Sequence, residues 1–246
     1  MKNSFTLVGY EAMLIEGLKS NYDFLDFRNV NNETSKKICY LRHDVDADVS
    51  AALKVAQIEC NLGIRATYFF MLRSPLYNLF SRTNQRYVEK ILKLNHNLGL
   101  HFDENFSCQY DIPLQELIAK ELEMLELNFG IKTNVVSFHQ PSNRILMNNI
   151  KLTNVIHTYD KELFSGIHYV SDSNKNWRSV HPFNIFKKSI YNKIQLLIHP
   201  MWWVQPKNIK TRAVWKKTLI NNFEQTQKQL VETEGAFGKA FRIKLL

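Results

Sequence analysis

Short apolar runs alternate with helical segments along most of this chain. The clearest predicted strands are residues 38–43, 66–72, 98–102 and 135–138, and the helices between them lie near 49–61, 84–96 and 113–128. Three shorter strand-like runs follow at 154–158, 167–170 and 194–198. Strands that alternate with helices are typical of parallel β/α units. We therefore predict an α/β fold, a distorted or incomplete (β/α) barrel of about six to seven mostly parallel strands.

The length of 246 residues fits one large domain. We predict a single domain with three parts: an N-terminal helical extension at 1–37, the barrel core at 38–200 and a C-terminal basic helix at 201–246. The helices outside the core are predicted at 5–20 and 211–233, from their amphipathic or continuous helical pattern. With 45% apolar residues, the chain has enough hydrophobic side chains for a full core.

The net charge of +9 is concentrated in the last third of the chain. Residues 173–246 contain 14 Lys or Arg and 3 Asp or Glu, against 18 and 20 in residues 1–172. A basic segment of this kind attracts an anionic substrate, a nucleic acid or an acidic membrane surface. We expect no nucleic-acid partner, because the sequence carries no recognition signature for DNA or RNA.

The sequence also bears on the compartment. We see no apolar leader and no run of the roughly 20 residues needed to span a bilayer, although peripheral membrane contact stays open. Three cysteines without paired spacing argue against a disulfide scaffold and favour a reducing environment. We therefore expect a cytoplasmic location.

Ionisable residues follow the predicted strands where each strand ends. Asp44 and Asp46 follow the first strand, and His101, His139 and His199 end later apolar runs. The carboxyl ends of parallel strands meet on one face of a barrel, so these side chains are expected to converge. Two carboxylates so close together repel each other, and a bound cation relieves that repulsion. The pattern indicates a metal-assisted hydrolase.

Six segments resemble the motifs of one enzyme family, in that family's order. They are Arg42–Asp46, Thr67–Phe70, His96–His101, Phe138–Pro141, Asp172 with Trp177, and Leu196–Pro200. On these segments the chain resembles the polysaccharide deacetylase (NodB-like) superfamily of carbohydrate esterases. It is most similar to a divergent, signal-less branch found with bacterial surface-glycan biosynthesis genes. The resemblance covers about residues 38–200 and implies a NodB-like barrel.

The resemblance assigns chemical roles to four of these residues. Asp44 would be the catalytic base, Asp46 and His101 would be metal ligands, and His199 would be the general acid. Zn²⁺ is the expected ion, with Co²⁺, Ni²⁺, Mn²⁺ and Fe²⁺ as alternatives. A histidine that titrates near neutral pH suits protonation of a departing amine.

The second metal-binding motif departs from the family pattern. Asn105 stands where the family has its second metal histidine, and Asn is a poor zinc ligand. His139 takes the position of a family arginine and is the predicted third ligand, with Asp103 as another candidate. The usual Asp-His-His site is therefore incomplete as written.

Further residues are predicted to bind substrate. They are Arg42, Gln140, Asp172, Trp177, Arg178 and Trp202. Arg42 lies two residues before Asp44, so a strand would point both side chains the same way and Arg42 would keep Asp44 ionised. Trp202 is as compatible with core packing as with a sugar groove. His43 would face the opposite side of the strand, and Asp48 is predicted to cap the following helix.

The resemblance implies a metal-dependent hydrolase that removes an N-acyl group, acetyl or formyl, from an amino sugar in surface polysaccharide biosynthesis. A substrate met in the cytoplasm would be linked to a nucleotide or to a lipid phosphate, which a basic C-terminal third would suit. The alternative is a catalytically inactive deacetylase-like barrel that binds glycan or a biosynthetic partner. The substitution at Asn105 is its best support.

Overall fold

A computed structural model describes residues 4–30, 35–107, 109, 111–161, 164, 166–178 and 180–241. Its strands are β1 (Asp23–Leu25), β2 (Ile38–Val45), β3 (Thr67–Phe70), β4 (Asn97–Asp103), β5 (Val135–His139), β6 (Ile156–His157), β7 (His168–Ser171) and β8 (Lys193–Ile198). Its helices are α1 (Leu7–Lys19), α2 (Val49–Asn61), α3 (Arg82–Lys93), α4 (Glu104–Ser107), α5 (Leu114–Phe129), α6 (Asn143–Met147), α7 (Pro182–Lys188), α8 (Thr211–Thr233) and α9 (Gly235–Phe241).

All eight strands form one parallel sheet in the order β6-β5-β4-β3-β2-β8-β7, with β1 paired to the first half of β2. The sheet curls into a half-barrel surrounded by helices. Within the described residues β6 and β7 end the ordered path and do not pair with each other. This confirms the predicted distorted or incomplete (β/α) barrel of parallel strands.

Alternation along the strands separates two cores. In β2 the odd-numbered residues Cys39 and Leu41 belong to the large core between sheet and helices, whereas Ile38 and Tyr40 belong to a smaller core on the other face of the sheet. Successive strand residues point to opposite faces, so Arg42 and Asp44 continue the smaller core toward the carboxyl ends of the strands. The functional side chains are thus placed by strand parity.

Close packing inside the curl depends on Gly99 in β4. An added Cβ at this position would stand 2.5 Å from ring atoms of Phe69 in β3. The ring of Phe69 therefore uses the space that any other residue at 99 would take.

The ends of several helices carry the predicted signals. The carboxylate of Asp48 accepts a hydrogen bond from the backbone N–H of Ala51 (3.0 Å), as expected for the cap of α2. Gly130 ends α5 in the left-handed conformation, with φ of 64°. Helix α8 begins and ends at the residues that the sequence predicted, 211 and 233.

The two terminal segments differ in part from the expectation. The predicted helical extension at 1–37 also supplies β1, whose Phe24 is buried against the sheet. Strand β1 has only three residues, too few for a periodic pattern to be recognised. The predicted basic helix at 201–246 holds a short 3₁₀ turn that ends at Trp202 before α8, then α9, and its last five residues lie outside the described range.

A buried polar cluster lies between the sheet and the first two helices. Glu59 of α2 is fully buried and accepts hydrogen bonds from Tyr68 of β3 (2.6 Å) and Tyr10 of α1. The ring Nε2 of His43 lies 2.6 Å from the same carboxylate. Burial alone would raise the pKa of Glu59, but His43 and the other partners hold it below its usual value. The cluster ties α1, α2, β2 and β3 together.

Of the helices in the described part of the chain, none combines the length and apolar character needed to cross a membrane.

Candidate active site

A cavity of about 690 Å³ opens at the carboxyl ends of the parallel strands. Its floor is formed by residues at or just beyond the carboxyl ends of four different strands: Asp44, Asp46, His101, His139 and His199. Parallel-sheet proteins place ligands at this end because the strand ends and their loops converge there. The structure therefore brings together all five residues predicted to be catalytic or metal-binding.

Asp44 is held as a carboxylate by a buried arginine. Its Oδ2 accepts hydrogen bonds from Arg42 Nη2 (2.8 Å) and from the hydroxyl of Ser137 (3.1 Å). Burial would raise the pKa of Asp44, but Arg42, with His101 and His199, lowers it below the usual range. Its Oδ1 has no hydrogen-bond partner among the described residues. Asp44 is thus an ionised carboxylate with a free lone pair, as a base requires.

Arg42 itself lies beneath the groove rather than in it. Its side chain is fully buried and donates to Gln195 Oε1 (3.1 Å) and to the hydroxyl of Tyr159 (3.2 Å) as well as to Asp44. The guanidinium also lies 5.2 Å from the centre of the Tyr159 ring. Arg42 was predicted to bind substrate, and its burial is incompatible with that role. Its contacts fit the other predicted role, which is to orient Asp44 and keep it ionised.

His199 is held by a buried carboxylate on the opposite side of the cavity. Its Nδ1–H donates to Asp172 Oδ1 at 2.6 Å, which leaves Nε2 directed toward the groove. Asp172 also accepts from the indole N–H of Trp203 (2.8 Å) and from the backbone N–H of His199. Burial would lower the pKa of His199, but the charge and hydrogen bond of Asp172, helped by Asp46 and Asp44, raise it to about 9. His199 is therefore protonated at neutral pH.

Asp172 has no exposed surface and does not line the cavity. It was predicted to bind substrate, and its burial instead gives it the task of orienting His199. Trp177, the other residue of the same predicted motif, is also displaced from the groove. Its ring stacks on Phe5 of the N-terminal segment, with centroids 5.8 Å apart, and meets the edge of His181.

Asp46 and His101 face each other between the acid and the base. His101 Nδ1 lies 3.3 Å from the carbonyl oxygen of Ser137, which can only accept, so Nδ1 carries the hydrogen. Its Nε2 then presents a lone pair to Asp46 Oδ1, 3.1 Å away. Burial would raise the pKa of Asp46, but the neighbouring imidazoles of His101, His199 and His139 lower it to about 2.

Two facing acceptors need a cation or a proton between them. Asp46 Oδ1 is buried and otherwise without a hydrogen-bond partner among the described residues. A histidine whose second nitrogen donates to a backbone carbonyl is a common arrangement for a metal ligand. Asp46 and His101 therefore fit as two ligands of a divalent cation.

The third predicted ligand is close but the set is not assembled. The rings of His139 and His101 have centroids 5.3 Å apart, and burial, then the charge of His101, lowers the pKa of His139. In the part of the chain that the structure describes, no group of three His, Cys, Asp or Glu side chains is arranged to hold a metal ion. Asn105 is exposed in α4 and lies outside the cavity. Its backbone N–H donates a hydrogen bond to Asp103 Oδ1. His139 is thus the one predicted third ligand that reaches the groove.

Residues predicted to bind substrate form part of the cavity wall. Gln140, Arg178 and Trp202 all line it. Gln140 follows β5 with a φ of 47°, a left-handed conformation that turns the chain sharply at the groove edge. Among the described lining residues, Arg178 is the one lysine or arginine. A phosphate bound in the groove would therefore meet a guanidinium.

Other lining residues had no predicted role at the site, although Phe138, Pro141 and Leu197 lie within the motif segments. The whole set is Met71, Pro75, Leu76, Phe138, Pro141, Leu146, Tyr159, Tyr169, Ser171, Ser173, Asn174, Leu197 and Trp215. Tyr169 and Ser171 lie two apart on β7, followed two residues later by Ser173, a spacing that puts strand neighbours on one face. This spacing of two residues was the sequence signal that could have identified them as lining residues. Trp215 reaches the groove from α8, and nothing in the local sequence indicates this contact.

Comparisons with known proteins identify similar folds only. No family model matches the sequence, and a search of curated proteins finds no match. The structure is similar to a family 4 carbohydrate esterase from Bacillus anthracis, at 16% identity and a TM-score of 0.46, over 87% of this chain and 86% of that one. It is also similar to the catalytic domain of a peptidoglycan N-acetylglucosamine deacetylase from Eubacterium rectale, at 16% identity and a TM-score of 0.47, over 77% and 87%.

A third similar structure is described as a pseudoenzyme of the same esterase family, also from Bacillus anthracis. It shares 14% identity with a TM-score of 0.41, over 78% of this chain and 63% of that one. These three neighbours are described as two carbohydrate esterases or deacetylases and one pseudoenzyme. Because these neighbours include both deacetylases and a pseudoenzyme, the activity must be argued from the site itself.

Proposed function

We propose that this chain is a hydrolase that removes an N-acyl group from an amino sugar with the help of a divalent cation. One observation carries the proposal: an ionised, partner-free carboxylate oxygen on Asp44 and a protonated His199 lie on either side of Asp46 and His101 in one cavity. Asp44 Oδ2 is 3.8 Å from His101 Nε2, and His199 Nε2 is 3.7 Å from Asp46 Oδ2. A base and an acid are thus poised around one point.

The reaction that this arrangement suits is hydrolysis of an amide. Asp44 takes a proton from a water molecule as the water oxygen bonds to the acyl carbon. The carbon–nitrogen bond then breaks while His199 gives its Nε2 proton to the sugar nitrogen, so the products are a carboxylic acid and a free amine. Arg42 favours the ionised form of Asp44 beforehand, and Asp172 favours the charged form of His199.

Asp46 and His101 would hold the cation, with His139 as the nearest further donor. A divalent ion supplies polarisation of the acyl carbonyl and a lowered pKa for bound water. Zn²⁺ is the proposed ion because one carboxylate and imidazole nitrogens form the donor set. We keep Co²⁺, Ni²⁺, Mn²⁺ and Fe²⁺ as alternatives.

The proposed substrate is an amino sugar joined to a nucleotide or to a lipid phosphate, met in the cytoplasm during surface polysaccharide biosynthesis. Tyr159, Tyr169 and Trp202 supply aromatic rings to the groove, and apolar rings stack on pyranose faces. Arg178 supplies a cation at the same wall. These features support a sugar that carries a phosphate.

Acyl release and bound metal, measured together, test the proposal. The wild type and Asp44→Asn are loaded with each divalent ion, and release of acetate or formate is followed on N-acylated amino sugars. Asp44→Asn is expected to lower turnover by about 10²- to 10⁴-fold while the metal content is unchanged, because Asp44 acts as base rather than ligand. Glu123→Gln, which removes an exposed carboxylate of α5, is the matched control and is expected to keep full activity.

The second candidate function is a barrel without catalysis that binds glycan or a biosynthetic partner. The lack of an assembled three-ligand group in the described residues favours it. Equal acyl release by the wild type and Asp44→Asn would reject the assigned base. Sugar binding without stoichiometric metal and without acyl release would establish the second candidate.

A further inference from the structure

Helix α8 exposes a row of large apolar side chains. Trp215, Leu219, Ile220 and Phe223 are exposed to 37%, 51%, 46% and 63%, and we call these four residues the α8 ridge. Spacings of four, one and three residues place them on one side of a helix. Exposed apolar groups that adjoin one another in this way mark interaction sites more often than single exposed residues do.

The opposite side of α8 is fixed to the barrel. Val214 and Thr218 are fully buried, and the side-chain amide of Asn222 donates to the backbone carbonyls of Ala47 (2.8 Å) and Leu76 (3.0 Å). The helix is therefore anchored along its inner face, and the ridge cannot turn inward to bury itself without breaking these contacts.

The exposed side of α8 is also basic. Arg212, Lys216 and Lys217 are exposed, and residues 211–223 contain no Asp or Glu. Long basic side chains next to exposed Trp, Leu and Phe are the composition of helices that lie in a membrane interface. There the apolar groups enter the acyl boundary and the charges meet anionic headgroups.

The ridge continues into the candidate active site. Trp215 lines the cavity and packs edge-to-face on Trp202, with ring centroids 5.7 Å apart. A surface held against the ridge would therefore border the mouth of the groove. A head group linked to such a surface through a phosphate would reach the groove while still attached to the surface.

We propose that the α8 ridge docks this protein on an anionic lipid surface, with the groove mouth at the edge of the contact. The charge pattern favours lipid over a second copy of the chain as the occupant. A symmetric contact between two ridges would bring Arg212, Lys216 and Lys217 near their own copies, with no acidic residue of this segment to pair with them. An anionic surface instead attracts each of these charges. The lipid-linked form of the substrate rests on the proposed function, whereas the docking itself does not.

Vesicle sedimentation tests the docking without any turnover. The whole chain is mixed with vesicles of phosphatidylcholine alone or with about 30% phosphatidylglycerol, at low and high salt. We expect binding to the anionic vesicles that weakens as salt rises. The double variant L219Q/F223Q should bind at least about tenfold less. The control M124Q/L127Q, which removes two exposed apolar residues of α5, should bind like the wild type.

A second pair of variants separates charge from apolar contact. K216Q/K217Q should lose much of the preference for anionic vesicles, whereas K90Q/K93Q, with the same loss of charge on α3, should not. Quenching of tryptophan fluorescence by brominated lipids reports insertion in the unaltered protein, so the test does not depend on any variant folding.

Three results would overturn the proposal. Wild-type protein that fails to bind anionic vesicles, or binding that L219Q/F223Q leaves unchanged, would reject the ridge as the lipid contact. A dimer detected by light scattering that L219Q/F223Q converts to monomer would assign the ridge to a second copy instead. None of these results bears on acyl release from a water-soluble sugar, so docking and catalysis fail separately.

Discussion

Asp172→Asn is the most informative single change, because it removes the negative charge next to His199 without altering a residue that lines the groove. Asp172 accepts the Nδ1 hydrogen of His199 at 2.6 Å and is fully buried. Asp172 is the leading factor that raises the pKa of His199 from 6.5 to about 9, against the opposing effect of burial. An amide in its place keeps the shape and can still accept a hydrogen bond, but it carries no charge.

The pKa of His199 in Asp172→Asn is therefore expected to fall from about 9 toward its ordinary value of 6.5. At pH 7.5 a group with that pKa is about one-tenth protonated, whereas one with a pKa of about 9 is almost fully protonated. The alkaline limb of kcat/KM should move from about pH 9 toward 6.5, because kcat/KM reports the essential acid of the free enzyme. The measurement is a pH–rate profile with NMR titration of the His199 ring.

Stability should follow the same titration. The folded-state pKa of His199 is raised, so its contribution to the free energy of unfolding is complete below about pH 6.5 and is lost as pH rises through about 9. Asp172→Asn should flatten that dependence. An alkaline limb and a ring titration that both stay near pH 9 in the variant would refute the proposed pairing of Asp172 with His199.

Two further changes test the opposite face of the cavity and the packing beneath it. Arg42→Gln should move the acid limb of kcat/KM to higher pH, because the charge of the guanidinium holds the pKa of Asp44 down; a pH profile with an unmoved acid limb would contradict this. Gly99→Ala should lower the free energy of unfolding in urea by about 1–3 kcal/mol, because its Cβ would meet the Phe69 ring at 2.5 Å. Gly235→Ala, with nothing within 4 Å of its added Cβ, is the control and should not share that loss.

The barrel was predictable from sequence because its strands are short, apolar and regularly separated by helices. Strand β2 is buried along all eight residues, and its apolar start followed by two carboxylates locates both the sheet and the site. The three-residue β1 escaped prediction because it is held by pairing with β2 rather than by its own pattern, whereas the two-residue β6 lies inside the strand-like run predicted at 154–158.

The site was predictable in its floor and less so in its walls. Asp44 and His101 lie in the last residues of β2 and β4, so their position along the strand places them. Tyr159 and Trp215 reach the groove from a loop and from α8, through packing that no local spacing encodes. The burial of Arg42 was also not predictable from local spacing. Its guanidinium is enclosed by Gln195 and Tyr159, so it supports Asp44 and does not contact a ligand.

The cluster around Glu59 has a consequence for how β2 is held in register. His43 lies between Arg42 and Asp44 along the strand and makes its contact on the opposite face, where Glu59 receives it. A slip of one residue would turn the arginine toward the helices and the imidazole toward the cavity, and both charge networks would be broken at once. Side chains on both faces of β2 therefore fix the register of the strand, and with it the position of the catalytic carboxylate.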